Sequence, residues 1–294
     1  MVFINSEGKF NDNSYLIDGE LYRMKGNLAL YVIENNGARM MIDAGEALMA
    51  RKIVNKLKEF GLFPIHKILL THSHFDHVQA VGKLKKIMKE INIEVLASER
   101  AIENLVNPEK MNAYFGYKVD PIENVTPLMD GDIVDLNGLK LEIFDFFGHT
   151  RDSIAILDKR NKNIFVGDSI MDKYDPDTII PEFVPPDFNE DAYLNTFKKL
   201  RKLKDTLKSV SLAHFGVWKD NDFVKILNEM EDFHFNAKES MIKWYHENPS
   251  LEYITVKYHE KFIPNSKIHT KDNILGLQFV LGWLIDGLKY AGFI

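Results

Sequence analysis

The sequence predicts an α/β protein in which stacked sheets carry helices on their outside. Three observations point to it. Short apolar or alternating runs crowd the first third of the chain, separated by Gly, Asn and Asp. A second set of such runs begins near residue 132. Stretches with apolar residues at helical spacing lie between and after the two sets. Two-residue alternation marks strands and a 3.6-residue period marks helices.

In chain order, "YLID", "LYRMKG", "LALYVIE" and "ARMMIDAG" read as strands, and "ENNGAR" as a hairpin turn, since Asn-Gly accepts positive φ at low cost. From Glu46 to Phe60 the apolar residues recur at helical spacing until Gly61 ends the run. "KILLT" is a buried strand, "VQAVGKLKKIMKEI" a helix and "IEVLAS" the next strand, which makes a β-α-β-α-β series. Residues 101–127 are less regular, and "ENLVNPEKMNAYFGYKVDP" reads as a short helix and a loop. "DIVDLNGLKLEIFDF" and "SIAILDKRNKNIFVGD" are hairpins, the first turning at Asn137-Gly138. The proline-rich stretch "MDKYDPDTIIPEFVPPDFN" is a loop. "DAYLNTFKKLRKLKDTL" is a helix whose lysines form the wet face of an apolar stripe, and "VSLAHFG" a last strand. Helices then dominate, around 221–247 and 272–291.

The chain of 294 residues exceeds the usual ~100–200 of one domain. The expected division is a catalytic domain over 1–218 and a helical extension over 219–294 packing on it. With no cysteine there are no disulfides, thiolate ligands or cysteine nucleophiles, so any metal rests on His, Asp or Glu. The net charge of −6 disfavours nucleic acid as a partner. No apolar run reaches the ~18–20 residues of a spanning helix, and the amino terminus lacks a signal-peptide core. A cytoplasmic protein is expected.

One junction stands out. "THSHFDH" packs His72, His74, Asp76 and His77 between a strand and a helix, in a chain with ten histidines. Leaving a strand, alternate side chains point the same way, so His72 and His74 converge on one ion. Asp76 and His77 face a neighbouring point. Burying such a group without a metal would leave several polar groups unsatisfied, at about 1–3 kcal/mol each. His149, Asp168 and His214 share a context: an apolar strand and then the residue, in a loop. The simplest allocation gives His72, His74 and His149 to one ion and Asp76, His77 and His214 to another, with Asp168 bridging. His66, His234, His246, His259 and His269 stand alone and read as surface or capping residues.

These motifs resemble the metallo-β-lactamase superfamily, in its glyoxalase-II-like and lactonase-like hydrolase branch. The matching segments are "THSHFDH", "GHT" at 148–150, "FVGD" at 165–168, "AHFG" at 213–216 and "MIDAG" with Asp43, spanning 13–216 in order. The resemblance implies a four-layer αββα sandwich, here with a helical C-terminal extension. It implies that the seven named residues hold two Zn²⁺, with Fe or Mn as substitutes, and that Asp76 orients the attacking water. The expected activity is hydrolysis of a small ester, thioester, lactone or amide. The alternatives are a mononuclear iron oxidoreductase of the persulfide-dioxygenase type and a phosphodiesterase. Relatives with a redox di-iron centre usually carry Glu where this chain has Ser73 or His74, which favours zinc. Asp43 and Thr150 are candidates to hold ring tautomers, Tyr174 and Trp218 to contact substrate, and Arg151 to form a surface salt bridge. The expected partner is a small molecule, not nucleic acid or membrane. The terminal helices either cover the cleft or form a homodimer.

Overall fold

Alternation along single strands sets the architecture. In Ala38–Ile42, Met40 and Ile42 turn to one apolar core and Met41 to another. In Lys67–Leu70, Leu69 joins the first core, while Ile68 and Leu70 join the second. A strand with both faces buried belongs to an inner layer. The computed structural model, which describes residues 3–270 and 273–294, builds two such layers.

The first sheet runs Gly8–Lys9, Ser14–Asp18, Ala29–Asn35, Ala38–Ile42, Lys67–Leu70, Glu94–Ser98 and Val125–Leu128, in space as in sequence. Its early pairs are antiparallel; from Ala38–Ile42 onward they are parallel. Parallel neighbours need long crossovers, and helices Ala50–Glu59, Val81–Ile87 and Glu109–Phe115 fall within them. The second sheet runs Phe3–Ile4, Val217–Lys219, Ser209–Ser211, Asn163–Phe165, Ile154–Asp158, Leu139–Asp145 and Ile133–Leu136. Its one parallel pair, Asn163–Phe165 with Ser209–Ser211, is bridged by helix Glu190–Leu203. The inner faces share one core, and helices cover both outer faces. This is the αββα sandwich.

The carboxy-terminal quarter adds Asp220–Glu247, Leu251–Phe262 and Leu275–Tyr290. The expected second long helix begins at residue 272, which lies outside the described residues. The middle helix and the strand Val217–Lys219 were not anticipated. Two other expectations change. "LYRMKG" is not a strand but a tight turn at Leu21–Arg23, where Tyr22 and Arg23 take positive φ. The Asp18 carboxylate accepts the Glu20 and Gly26 N–H groups and holds this loop closed. The proline-rich stretch carries a small hairpin, Asp172–Asp175 with Thr178–Ile180. Among the described residues no helix is long and apolar enough to cross a membrane.

Candidate metal centre

The turn after strand Lys67–Leu70 is clamped by Asp43, which sits at φ 60° after the neighbouring strand. Its carboxylate accepts the Thr71 N–H at 2.7 Å and the Thr71 hydroxyl at 2.9 Å. The same carboxylate meets His77 Nδ1 at 2.9 Å. Two glycines bring the other strand ends close. At Gly167 a Cβ would lie 2.7 Å from Thr71 Oγ1, so only glycine lets Asp168 reach the turn. At Gly148, φ 131°, a Cβ would fall on the Tyr193 backbone. His149 follows directly.

All seven expected residues gather at one rim of the two sheets, and all are buried. His72, His74, His149 and Asp168 form one group of converging donors, and Asp76, His77 and His214 another. Asp168 Oδ2 lies at their centre. It is 3.1 Å from His77 Nε2, 3.5 Å from His72 Nε2, 3.7 Å from His149 Nε2 and 3.8 Å from His214 Nε2. Asp76 Oδ2 is 3.3 Å from His214 Nε2 and 3.6 Å from His77 Nε2. His74 Nδ1 is 3.0 Å from His149 Nε2. Around an ion with bonds of ~2.0–2.1 Å, tetrahedral ligands stand roughly 3.3 Å apart, so these spacings suit one. Nε2 of His72, His74 and His77 and Oδ1 of Asp168 are buried without a hydrogen-bond partner. Buried imidazole and carboxylate atoms that converge with several left unpartnered form a candidate site for a divalent cation.

The outer nitrogens are held from behind. His214 Nδ1 meets the Asn27 carbonyl at 2.6 Å and His72 Nδ1 the Thr71 hydroxyl at 3.1 Å. His149 Nδ1 lies 3.1 Å from Glu182 Oε2. Such contacts fix ring orientation and tautomer.

Electrostatics divides the cluster. Burial lowers the pKa of His72, of His74 to about 3, and of His149, so these rings are neutral donors. Burial acts the same way on His77 and His214, but the surrounding carboxylates outweigh it. Asp168 leads in raising His77 well above its ordinary value; Asp172 leads in raising His214 to about 10. Burial opposes ionisation of Asp76 and Asp168, yet the adjacent imidazoles, His77 foremost, hold both below the usual carboxylate range. Burial keeps the Asp172 and Glu182 carboxyls above it, helped by the charge of Glu182 on Asp172 and of Asp168 on Glu182.

Other expectations meet mixed outcomes. Tyr174 lines the cleft and donates its hydroxyl to Asp172 Oδ2 at 3.0 Å. Trp218 does not face the cleft. It is a core residue, 2% exposed, its ring stacked on Phe3 at 4.1 Å and its indole N–H given to the Phe215 carbonyl. Thr150 touches Ser153 rather than a clustered histidine. Arg151 pairs with Glu103 and Asp187. His234, His259 and His269 are buried, not superficial: His234 pairs with Glu190 and His269 lines the cleft. Asn27, Asp172 and Glu182 were missed. Asn27 acts through its backbone, which no residue type advertises, and the two acids lie in a stretch without periodicity.

The donors open into a cleft of about 330 Å³. The loop 21–27 forms one side, and helix Leu275–Tyr290 closes another with Phe279, Val280, Trp283 and Leu284. The terminal helix therefore forms part of the cleft wall of its own chain.

A model described as the metallo-beta-lactamase superfamily matches residues 28–214. A hydroxyacylglutathione hydrolase of Aliivibrio salmonicida is 30% identical over 173 residues, 58% of this chain and 52% of that one. The chain thus spans about half the length of that relative. An acyl-coenzyme A thioesterase of Gallus gallus is 24% identical over 68% of this chain and 76% of its own. Among solved structures, a metallo-beta-lactamase family protein from Thermus thermophilus superposes with TM-score 0.65 at 19% identity, covering 95% of this chain and 92% of that one. A protein solved in a di-iron-bound form superposes with TM-score 0.57 at 21% identity, over 70% of this chain and 94% of its own. At these identities the structures speak for the fold alone.

Proposed function

The chain belongs to the metallo-β-lactamase superfamily, and from that premise we propose that it is a hydrolase holding two divalent cations, zinc by preference, that cleaves a small ester, thioester, lactone or amide. One observation carries this reading: a single carboxylate oxygen, Asp168 Oδ2, stands within 3.8 Å of the Nε2 atoms of four histidines drawn from both sheets. His72, His74 and His149 would hold one cation, Asp76, His77 and His214 the other, and Asp168 both. Imidazole and carboxylate donors in tetrahedral sets suit zinc.

Cations held there would acidify a water and polarise the scissile carbonyl. The residues of this chain do the rest. Asp76 lines the cleft; its carboxylate orients the attacking water, takes its proton and returns it to the leaving group. Asp43, Asn27, Thr71 and Glu182 keep the imidazole rings aimed. Leu21, Tyr22 and Trp283 give the cleft apolar wall beside the donors.

The test pairs elemental analysis with a hydrolysis panel of esters, lactones, thioesters, β-lactams and phosphodiesters. About two zinc ions per chain and carbonyl turnover are expected. His74→Ala and Asp76→Ala should each lower bound metal and abolish turnover. Full activity after metal stripping would overturn the reading. One iron per chain with oxygen consumption would replace it with the oxidoreductase, and phosphodiester turnover alone with a phosphodiesterase.

A further inference from the structure

The cleft above the donors is lopsided in its chemistry. Its floor is polar: the donors and the carboxyl groups of Asp76, Asp168, Asp172 and Glu182 line it. Its walls are apolar and largely aromatic. A run of ring contacts leads outward from the donors: His74 to Phe115 at 4.9 Å, Phe115 to Trp283 at 5.8 Å, and Trp283 to Phe279 at 4.6 Å. Phe279, at the end of this run, is 47% exposed and lines the cleft. Leu21, Met24, Val184 and Ile268 also line the cleft.

Away from the donors, cationic side chains are sparse among the described lining residues. Among the described residues that line the cleft, Lys25 is the sole Lys or Arg. His269 also lines it, but burial lowers its pKa to about 4, so it is neutral in use. A glutathione conjugate brings two carboxylates, and a coenzyme A conjugate several phosphate charges. Recognising such groups takes paired cationic donors, and among the described lining residues Lys25 has no Lys or Arg beside it.

Resting on the hydrolase reading above, we propose that the substrate is an uncharged ester or lactone whose apolar acyl or aryl arm lies along Phe115, Trp283 and Phe279. Glutathione and coenzyme A thioesters are then poor substrates, although relatives of this chain bear names of enzymes acting on them. A cleft of about 330 Å³ stands near the lower end of ligand pockets, ~300–1,000 Å³, so the arm is short to medium in length. Burial of each added methylene is expected to improve kcat/KM roughly fourfold until the cleft is full.

The experiment uses zinc-loaded protein. Aryl esters from acetyl to decanoyl are compared with glutathione and coenzyme A thioesters of the same acyl groups. The expected result is a steep rise with chain length among the esters and conjugates at least about tenfold slower. A flat length dependence, or preference for the conjugates, overturns the proposal. Phe279→Lys, at an exposed position, should flatten the ester series and improve the conjugates; Trp283→Ala should flatten it too. Tryptophan fluorescence gives a readout independent of turnover. 2-Octanone should bind more tightly than 2-butanone, and Phe279→Lys should erase the difference. Length-dependent ketone binding without hydrolysis of any ester or thioester would support the cleft assignment and overturn the hydrolase reading. Hydrolysis without length dependence or ketone binding would overturn the cleft assignment alone.

Discussion

Four clustered histidines are aimed by what their rear nitrogens touch. His77 leans on Asp43, His214 on the Asn27 carbonyl, His72 on Thr71 and His149 on Glu182. Removing such a support typically lowers metal affinity ~10–100-fold. Asp43→Ala and Glu182→Ala should each do so in a competition titration against a chelating dye, with Glu182→Gln retaining most of the affinity. The pH dependence has a definite sign. In chelator-treated protein the raised pKa of His214, about 10 against an ordinary 6.5, makes its bound proton stabilising. That contribution is complete below pH 6.5 and fades as pH rises through about 10. Cation binding needs the neutral ring and expels the proton. The rise in Tm on adding zinc should therefore grow from about pH 6 to about pH 9, and scanning fluorimetry in matched buffers checks it. A rise that shrinks with pH would contradict this arrangement of charges.

At the scale of elements, close approaches through glycine decide where strand ends and helices sit. Gly148 passes over the Tyr193 backbone, and Gly287 of the terminal helix lies against the Phe183 carbonyl. A methyl group at either point has nowhere to go, and overpacking of this kind costs about 1–3 kcal/mol. Gly148→Ala should lower both Tm and bound metal, because His149 is carried with it. Gly287→Ala should lower Tm but leave metal content unchanged, because helix Leu275–Tyr290 forms cleft wall without supplying a donor. Calorimetry with elemental analysis separates the two. The helix buries Leu277, Leu281, Leu284 and Leu288, so its attachment is apolar and does not depend on the metal centre.

For the whole molecule, the cluster joins the two halves of the sandwich. His72, His74, Asp76 and His77 follow a strand of the first sheet; His149, Asp168 and His214 follow strands of the second. Cations held between them would tie the sheets together along one rim. At a thousandfold excess of free zinc over Kd the native state gains ~4 kcal/mol. With ~2.1 cal/mol/K of unfolding entropy per residue, 294 residues should gain roughly 6 °C in Tm. Asp168→Ala, which removes the shared carboxylate, should abolish most of that gain. Zinc-independent Tm in the unaltered chain would show that the rim is not joined in this way.

The seven clustered residues could be read before any coordinates because each follows an apolar strand, and parallel or hairpin-paired strands present their ends at common edges. The hairpin at Asn36-Gly37 and the helix stop at Gly61 were equally legible, since both lie in the positive-φ region that those residues tolerate. Other features depend on contacts between distant segments and leave no local trace. "LYRMKG" alternates like a strand, but the Asp18 carboxylate folds it into a loop beside the donors. Trp218 has the same side chain whether it faces a cleft or Phe3, and only packing chose Phe3. The terminal helix is apolar on most of its surface, so its period could not say which face covers the site. Residue type and spacing along the chain determined the chemistry of the rim. The fold decided what stands over it, because covering a cleft requires segments some 200 residues apart to meet, and that is settled by shape and burial, not by local pattern.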